Sequence, residues 1–211
     1  MSKRAARTVL ALAALAAPAW PGATASATAI VSSSKGKQVV ASFTVRDTLN
    51  CGPNDNREMQ TFVGFMSFET SIRIKGVLQT TVQTNVTVAS FNPCTFQGRF
   101  DDGQFFGGDL PMNALETATL AGHWVFPSGA VVDANLTLTG TDTSSQGHTM
   151  QRLNFGKVMI MTRQVGSFRK ANLSGTVTVD GRVITAGQMT DIDANMSRNT
   201  SGQNFIIKAG T

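Results

Sequence analysis

Residue types common in enzyme and sugar-binding sites are scarce in this chain. It has no tyrosine, two histidines, two tryptophans and three glutamates in 211 residues. Sugar-binding sites favour exposed Tyr and Trp rings, and a Ser-His-Asp hydrolase needs a histidine beside an acid and a hydroxyl. No Gly-x-Ser-x-Gly nucleophile elbow occurs. These absences disfavour carbohydrate binding and hydrolysis.

The chain also lacks an apolar run long enough to span a membrane, which takes about 20 residues. Its first seven residues include three basic ones, and Val9–Ala17 is short and alanine-rich. Small residues at Ala25-Ser26-Ala27 suit a signal peptidase. Residues 1–27 are therefore predicted to be a cleaved, bacterial-type secretory signal peptide. The mature chain is expected outside the cytoplasm (extracellular, cell-surface or periplasmic), with no transmembrane segment.

Excess charge is small once the signal peptide is removed. The whole chain has 18 Lys and Arg against 13 Asp and Glu, and three of the basic residues precede residue 28. The remaining 15 against 13 gives no electrostatic reason to expect a nucleic-acid partner. We therefore predict no nucleic-acid binding, and an unknown ligand or surface partner.

Two cysteines, Cys51 and Cys94, remain in the predicted mature chain. In an exported protein such a pair predicts a disulfide, with two free buried thiols as the alternative. The bond would close a loop of about 44 residues and stabilise the fold by roughly 4 kcal/mol. A pair this far apart, with no histidine nearby, does not indicate a zinc site.

The clearest local pattern is a hairpin within Leu173–Ala186. Asp180-Gly181 separates two runs rich in β-branched residues, and both residues tolerate the positive φ that a type I′ turn requires. A two-residue turn fixes the register, so Val179 should face Arg182 and Val177 should face Ile184.

Similar apolar–polar alternation and turn residues recur along the rest of the chain. We predict one all-β antiparallel domain over residues 28–211, a β-sandwich or β-barrel of roughly ten to twelve strands. Asp101-Asp102-Gly103 is expected to form a hairpin loop, and residues 191–202 are polar without a strand signal. The main predicted strands are Gln38–Val45, Gln60–Lys75, Val77–Phe91, Thr117–Val125, Ala130–Gly140, Thr149–Phe155, Lys157–Val165 and Phe205–Ile207.

Two acidic segments are candidate calcium ligands. Asp191, Asp193 and Asn195 have the alternate spacing of the start of an EF-hand loop. Met196 and Gly202 stand where that motif needs its glycine and its bidentate glutamate, which favours the solvent face of a strand instead. Asp101, Asp102 and Asp109 form a looser candidate in a glycine-rich stretch. No metal or other cofactor is predicted.

The weak binding candidates are His123, Trp124 and His148. His123 and Trp124 are adjacent on a predicted strand, and His148 follows Gly147 at a loop edge. No residue is assigned a catalytic role. The favoured function is a secreted, non-catalytic binding module or surface component. The alternatives are a secreted hydrolase using His148 or His123, and a β-barrel that carries an apolar ligand inside a cavity.

Overall fold

Antiparallel strands make up nearly all of the computed structural model, which describes residues 30–74, 77–155 and 158–207. The all-β prediction is confirmed, with eleven strands and one 3₁₀ turn, Ala186–Gln188. The predicted signal peptide lies outside the described residues. No helix in the described ranges is long and apolar enough to cross a membrane. The strands are β1 (Ile30–Gly52), β2 (Asp55–Ile74), β3 (Val77–Asn92), β4 (Gln97–Phe106), β5 (Met112–Asn113), β6 (Thr117–Val125), β7 (Val131–Gly140), β8 (Ser145–Phe155), β9 (Val158–Val179), β10 (Arg182–Thr185) and β11 (Met189–Ile207).

One strand, β9, joins two parts of a continuous sheet. The strand order is β4-β3-β2-β1-β11-β9-β7-β6-β5, and β8 and β10 also pair with β9. The first part of β9 pairs with β11 and β8, and its last part pairs with β7 and β10. The sheet is continuous, as in a barrel, but no ladder among the described residues joins β4 to β6. We call this unpaired boundary the seam.

The hairpin register follows the sequence prediction. Val179 pairs with Arg182 and Val177 with Ile184. Asp180 and Gly181 have φ values of 50° and 82°, as a type I′ turn requires. Val177 and Ile184 are buried, so the turn directs the apolar face of the hairpin into the core.

The core lies between the inward faces of the two parts of the sheet. Alternate residues of β1, β2 and β3 face alternate residues of β6, β7, β9 and β10, as period-2 patterning requires. Burying each large apolar side chain contributes about 1.5–3 kcal/mol. The fully buried set includes Val39, Phe43, Val63, Val86, Val132, Leu136, Leu138 and Ile184.

Two predictions about local structure are wrong. Asp101-Asp102-Gly103 is not a hairpin loop but the middle of β4, because Asp101 is paired inside the fold and Asp102 accepts a hydrogen bond from Thr87. The two acids therefore point to opposite faces and do not form the looser calcium site. The polar residues 191–202, to which no strand was assigned, belong to β11.

Beyond the core, six strands extend into a sheet that is covered on neither face. None of the side chains in this described region is buried. We call it the wing. It comprises residues 33–38 of β1, 68–73 of β2, 77–81 of β3, 145–153 of β8, 161–168 of β9 and 197–202 of β11.

Candidate binding cleft

A cleft of about 330 Å³ lies at one end of the seam. β5 pairs only with Thr117 and Ala118, and the N–H of Thr119 donates to the carbonyl of Pro111 at 3.0 Å. The next stretch of β6 pairs with β7 along one edge, but its other edge has no partner strand among the described residues, which leaves room beside the end of β4. The cleft is lined by Ser67, Thr84, residues 105–110 and residues 120–124.

Two buried hydroxyl groups face the cleft. Ser67 and Thr84 are 2% and 7% exposed, and their hydroxyl oxygens lie 2.9 Å apart. They occupy opposite positions of β2 and β3 on the core face. When one hydroxyl donates to the other, the acceptor retains its own O–H. The pair can therefore offer a hydrogen bond to a group that enters the cleft.

The remaining side chains of the wall are mainly apolar by residue type, although polar atoms, including those of Asp109 and His123, make up more than half of its accessible surface. Trp124 is 7% exposed, and its ring centroid lies 5.5 Å from that of Phe65 and 6.5 Å from that of Phe105. Leu110 and Leu120 complete the wall. Gly122 is required here, since a Cβ at this position would lie 2.4 Å from the Trp124 ring. Trp124, a predicted binding candidate, thus both packs in the core and lines the cleft.

His123, at the rim, pairs with an acid on the outer face of the sheet. Its Nδ1 lies 2.6 Å from Oδ1 of Asp133, the residue directly opposite on β7. The two side chains are 63% and 48% exposed. Because strand residues alternate between faces, His123 points away from the core while Trp124 points into it.

The second histidine is remote from this cleft. His148 lies on β8 in the wing, and Arg163 Nε donates to its Nε2 at 3.2 Å. His148 does not line the cleft. The structure therefore does not bring the two histidines together.

In the first calcium candidate, the carboxylate of Asp191 forms an ion pair with Arg46. Asp191 lies at a bulge between β1 and β11 with φ of 50°, and its Oδ2 is 2.9 Å from Arg46 Nη2. This hydrogen bond holds the pKa of Asp191 below its usual value. Asp193 and Asn195 follow along β11, opposite Ser42 and Val40. No group of three or more His, Cys, Asp or Glu side chains suited to a metal occurs within the described ranges.

A polar cluster around the buried Asp101 closes the other end of the seam. Arg99 of β4 forms ion pairs with Asp101 and with Asp180 of the β9–β10 turn. Ser128, in the β6–β7 turn, donates to Asp101 at 2.6 Å. The Ser128 hydroxyl, followed by Arg99, lowers the pKa of Asp101. Arg99, followed by the N–H of Val131, lowers the pKa of Asp180. This cluster links β4 to the β6–β7 and β9–β10 turns, and no backbone ladder among the described residues joins β4 to the strands on that side of the seam.

The predicted disulfide is present. Cys51 and Cys94 are bonded, with their Cα atoms 5.1 Å apart. The bond joins the end of β1, beside its turn into β2, to the turn between β3 and β4. It therefore links two neighbouring strand pairs at one end of the sheet.

Sequence reasoning missed the hydroxyl pair, although a signal for it exists. Val63, Phe65 and Ser67 occupy successive inward positions of β2, and Thr84 lies between Val82 and Val86 on β3. A polar residue at a position where the alternation calls for an apolar one indicates a polar side chain that faces the core. The contact between the two hydroxyls, however, depends on the pairing register.

Comparisons with known proteins give only remote similarities. No family model matches the chain, and no curated protein matches its sequence. A solved structure described as an AttH protein from Nitrosomonas europaea has a TM-score of 0.32 and 8% identity, and covers 84% of this chain. The chain spans about half (52%) of that structure's length. An acetoacetate decarboxylase-like enzyme from Sphingomonas wittichii RW1 has a TM-score of 0.23 and 9% identity, covering 85% of this chain and 92% of its own.

Proposed function

We propose that this chain is an exported, non-catalytic binding protein that holds a small, mainly apolar ligand with one polar group in the seam cleft. The observation that carries the proposal is the hydroxyl pair of Ser67 and Thr84 at a cleft walled by Trp124 and leucines. Ligand sites commonly combine an apolar wall with a few placed polar groups.

The size of the cleft supports a small ligand. Its volume of about 330 Å³ lies at the low end of the range typical of small-molecule sites, roughly 300–1,000 Å³. An apolar body would pack on Trp124 and Leu120, and its polar group would pair with the two hydroxyls. The hydrogen bond formed would offset the cost of removing water from the hydroxyls and from the ligand's polar group.

Export is supported by two independent features. The basic and apolar N-terminal stretch has the composition of a signal peptide. The Cys51–Cys94 disulfide suits an oxidising compartment outside the cytoplasm.

One observation favours a hydrolase as the second candidate function. The His123–Asp133 pair has the geometry by which an acid orients a catalytic histidine. The pair lies on the outer face, however, and no Ser or Thr hydroxyl donates to His123 Nε2 within the described part of the chain. Binding without catalysis is therefore the function that the site supports best.

Trp124 provides a direct test of ligand binding. The full-length chain carrying Trp20→Phe has Trp124 as its single tryptophan. Titration with 1-octanol, which has an apolar body and one hydroxyl, should change Trp124 emission to saturation. Octane, which cannot pair with the hydroxyls, should bind more weakly.

A matched pair of variants isolates the hydroxyl contribution. Ser67→Ala/Thr84→Val should weaken 1-octanol binding about tenfold, because one to two hydrogen bonds are lost. Ser71 and Thr80 form an equivalent pair at 2.8 Å on the same strands and the same face, outside the cleft. Ser71→Ala/Thr80→Val should leave the affinity unchanged. A lack of saturable binding, or equal weakening by both variants, would contradict the proposal.

A further inference from the structure

The strand register gathers the basic side chains of the wing on one face. Directly opposite residues of paired strands point to the same face. Lys37 lies opposite Arg198, and Lys35 lies two residues before Lys37. Arg73 and Arg163 lie opposite Ser33 and Gly202, which themselves face each other. We call this surface the basic face. Its members are Lys35, Lys37, Arg73, Arg152, Arg163 and Arg198.

The opposite face of the wing carries no charged side chain. Its positions alternate with those of the basic face along every strand. They are occupied mainly by hydroxyl, amide and glycine residues, together with a few apolar ones. The described outer positions are Ser34, Gly36, Gln38, Phe68, Thr70, Ile72, Val77, Gln79, Thr81, Ser145, Gly147, Thr149, Gln151, Leu153, Thr162, Gln164, Gly166, Phe168, Ser197, Asn199 and Ser201.

Only one acid lies on the basic face. Glu69 pairs with Lys37 at 2.8 Å, and the other five basic residues form no ion pair within the described ranges. All 13 acids of the chain lie at described positions, so the segments outside them contain no carboxylate side chain. The net charge of the predicted mature chain is close to zero, but the basic face has a strong local excess of positive charge.

One row of the basic face crosses all six strands of the wing and places an apolar side chain beside an arginine at each edge. Leu78 of β3 pairs with Arg73, and Met150 of β8 pairs with Arg163. Leu78 and Met150 are 55% and 58% exposed. Cationic residues flanked by exposed apolar ones are typical of surfaces that dock at the boundary between lipid headgroups and acyl chains.

We propose that the basic face docks the protein on an anionic phospholipid surface. The charges lie on five of its six strands (β2, β1, β11, β9 and β8) and span a width of about 19 Å at about 4.8 Å per strand, which suits a plane of headgroups better than a single linear polyanion. None of its described positions carries Phe, Tyr or Trp, and its one aromatic ring, the imidazole of His148, accepts a hydrogen bond from Arg163, so the face offers little platform for stacking bases or sugars. The leucine and methionine edges provide the apolar contact that a lipid surface can accept.

The experiment compares two variants with the same change in net charge. Lys35→Gln/Arg73→Gln/Arg163→Gln/Arg198→Gln removes four positive charges from the basic face. Gln79→Glu/Gln83→Glu/Gln151→Glu/Gln164→Glu adds four negative charges on the opposite face of the same sheet, at positions of β3, β8 and β9. Full-length chains are sedimented with vesicles of phosphatidylcholine alone, or of equal parts phosphatidylcholine and phosphatidylglycerol, at low and raised salt. Circular dichroism checks that both variants are folded.

We expect the wild-type chain to bind only the vesicles that contain phosphatidylglycerol, and less at raised salt. The first variant should bind about a hundredfold more weakly, and the second should lose clearly less. Absence of vesicle binding, or equal loss in both variants, would overturn the proposal. Binding to heparin or single-stranded DNA without binding to the vesicles would also overturn it, and would assign the face to a linear polyanion.

Discussion

Arg99 and Asp180 are 81 positions apart in the chain, yet their side chains form an ion pair across the seam. Asp180 is the first residue of the type I′ turn, and its other carboxylate oxygen accepts the N–H of Val131 at 2.8 Å. Asp180, which suits the geometry of the turn, therefore also binds β4 to the opposite part of the sheet through Arg99. No strand ladder performs this role at that end of the seam within the described residues.

Asp180→Asn should separate the charge of this residue from its turn function, because Asn-Gly also forms type I′ turns. We expect the free energy of unfolding at neutral pH to fall by about 1 kcal/mol, the upper end for partly exposed ion pairs. Urea unfolding at neutral pH measures this change. Asp55→Asn, which breaks the local ion pair with Arg57, should have a smaller effect.

Acid should weaken the same cluster. The pKa values of Asp101 and Asp180 are lowered in the folded chain, so their stabilisation is fully present above the usual carboxylate range and is lost as pH falls through the lowered values. Urea midpoints measured from neutral pH down to about pH 3 should fall less steeply for Asp180→Asn than for wild type. Parallel curves would show that Asp180 does not contribute to the acid dependence.

Gly175→Ala should be strongly destabilising. Gly175 has φ of 112°, and a Cβ there would lie 2.1 Å from the carbonyl oxygen of Asn135. Backbone of β7 cannot move aside cheaply, so we expect a loss of about 2 kcal/mol or more. Thermal unfolding measures it. Gly147→Ala is the control, since nothing lies within 4 Å of its Cβ position. A similar loss in both variants would contradict this explanation.

Removal of the disulfide should lower stability without changing the fold. Cys51 and Cys94 are separated by 43 positions, so the bond restricts a long loop of the unfolded chain. Cys51→Ala/Cys94→Ala is expected to lose roughly 4 kcal/mol while its circular dichroism remains that of a β protein. Unfolding of the wild-type chain with and without a reductant should show a loss of the same size.

His123→Ala should leave ligand binding intact, because the side chain points outward and is 63% exposed. The affinity for 1-octanol, followed by Trp124 emission, should match that of the wild-type chain, and so should the affinity of Asp133→Asn. Hydrolysis of p-nitrophenyl acetate that both substitutions abolish would contradict a purely binding role. It would favour the hydrolase instead.

Local signals account for what the sequence predicted well. The register of Val177 with Ile184 follows from two turn residues and the alternation beside them. β6 was predicted with its observed bounds, Thr117–Val125, because its threonines and valine favour a strand and its apolar residues face a core. Cys51 and Cys94 could be paired because no other cysteine is available.

The features that were missed depend on contacts distant in sequence. Asp101 looked like a loop residue, because nothing nearby in sequence indicates that the hydroxyl of Ser128, 27 positions away, donates to it. β11 was missed over residues 191–202 because half of this part, residues 197–202, lies in the wing, where neither face is buried and no apolar alternation is needed. The basic face could not be predicted without the pairing register, since Arg73, Arg163 and Arg198 belong to three different strands.

The continuity of β9 has a consequence for local opening. Residues 171–179 carry buried side chains such as Val177 and pair with β7 and β10, whereas residues 158–168 pair with the exposed strand β8 and with β11 in the wing. Amide hydrogens of residues 171–179 should exchange with solvent only on global unfolding, whereas those of residues 158–168 should exchange through local fraying of the sheet. The free energy of opening measured by hydrogen exchange would then have two different values along one strand, with the change near Lys170.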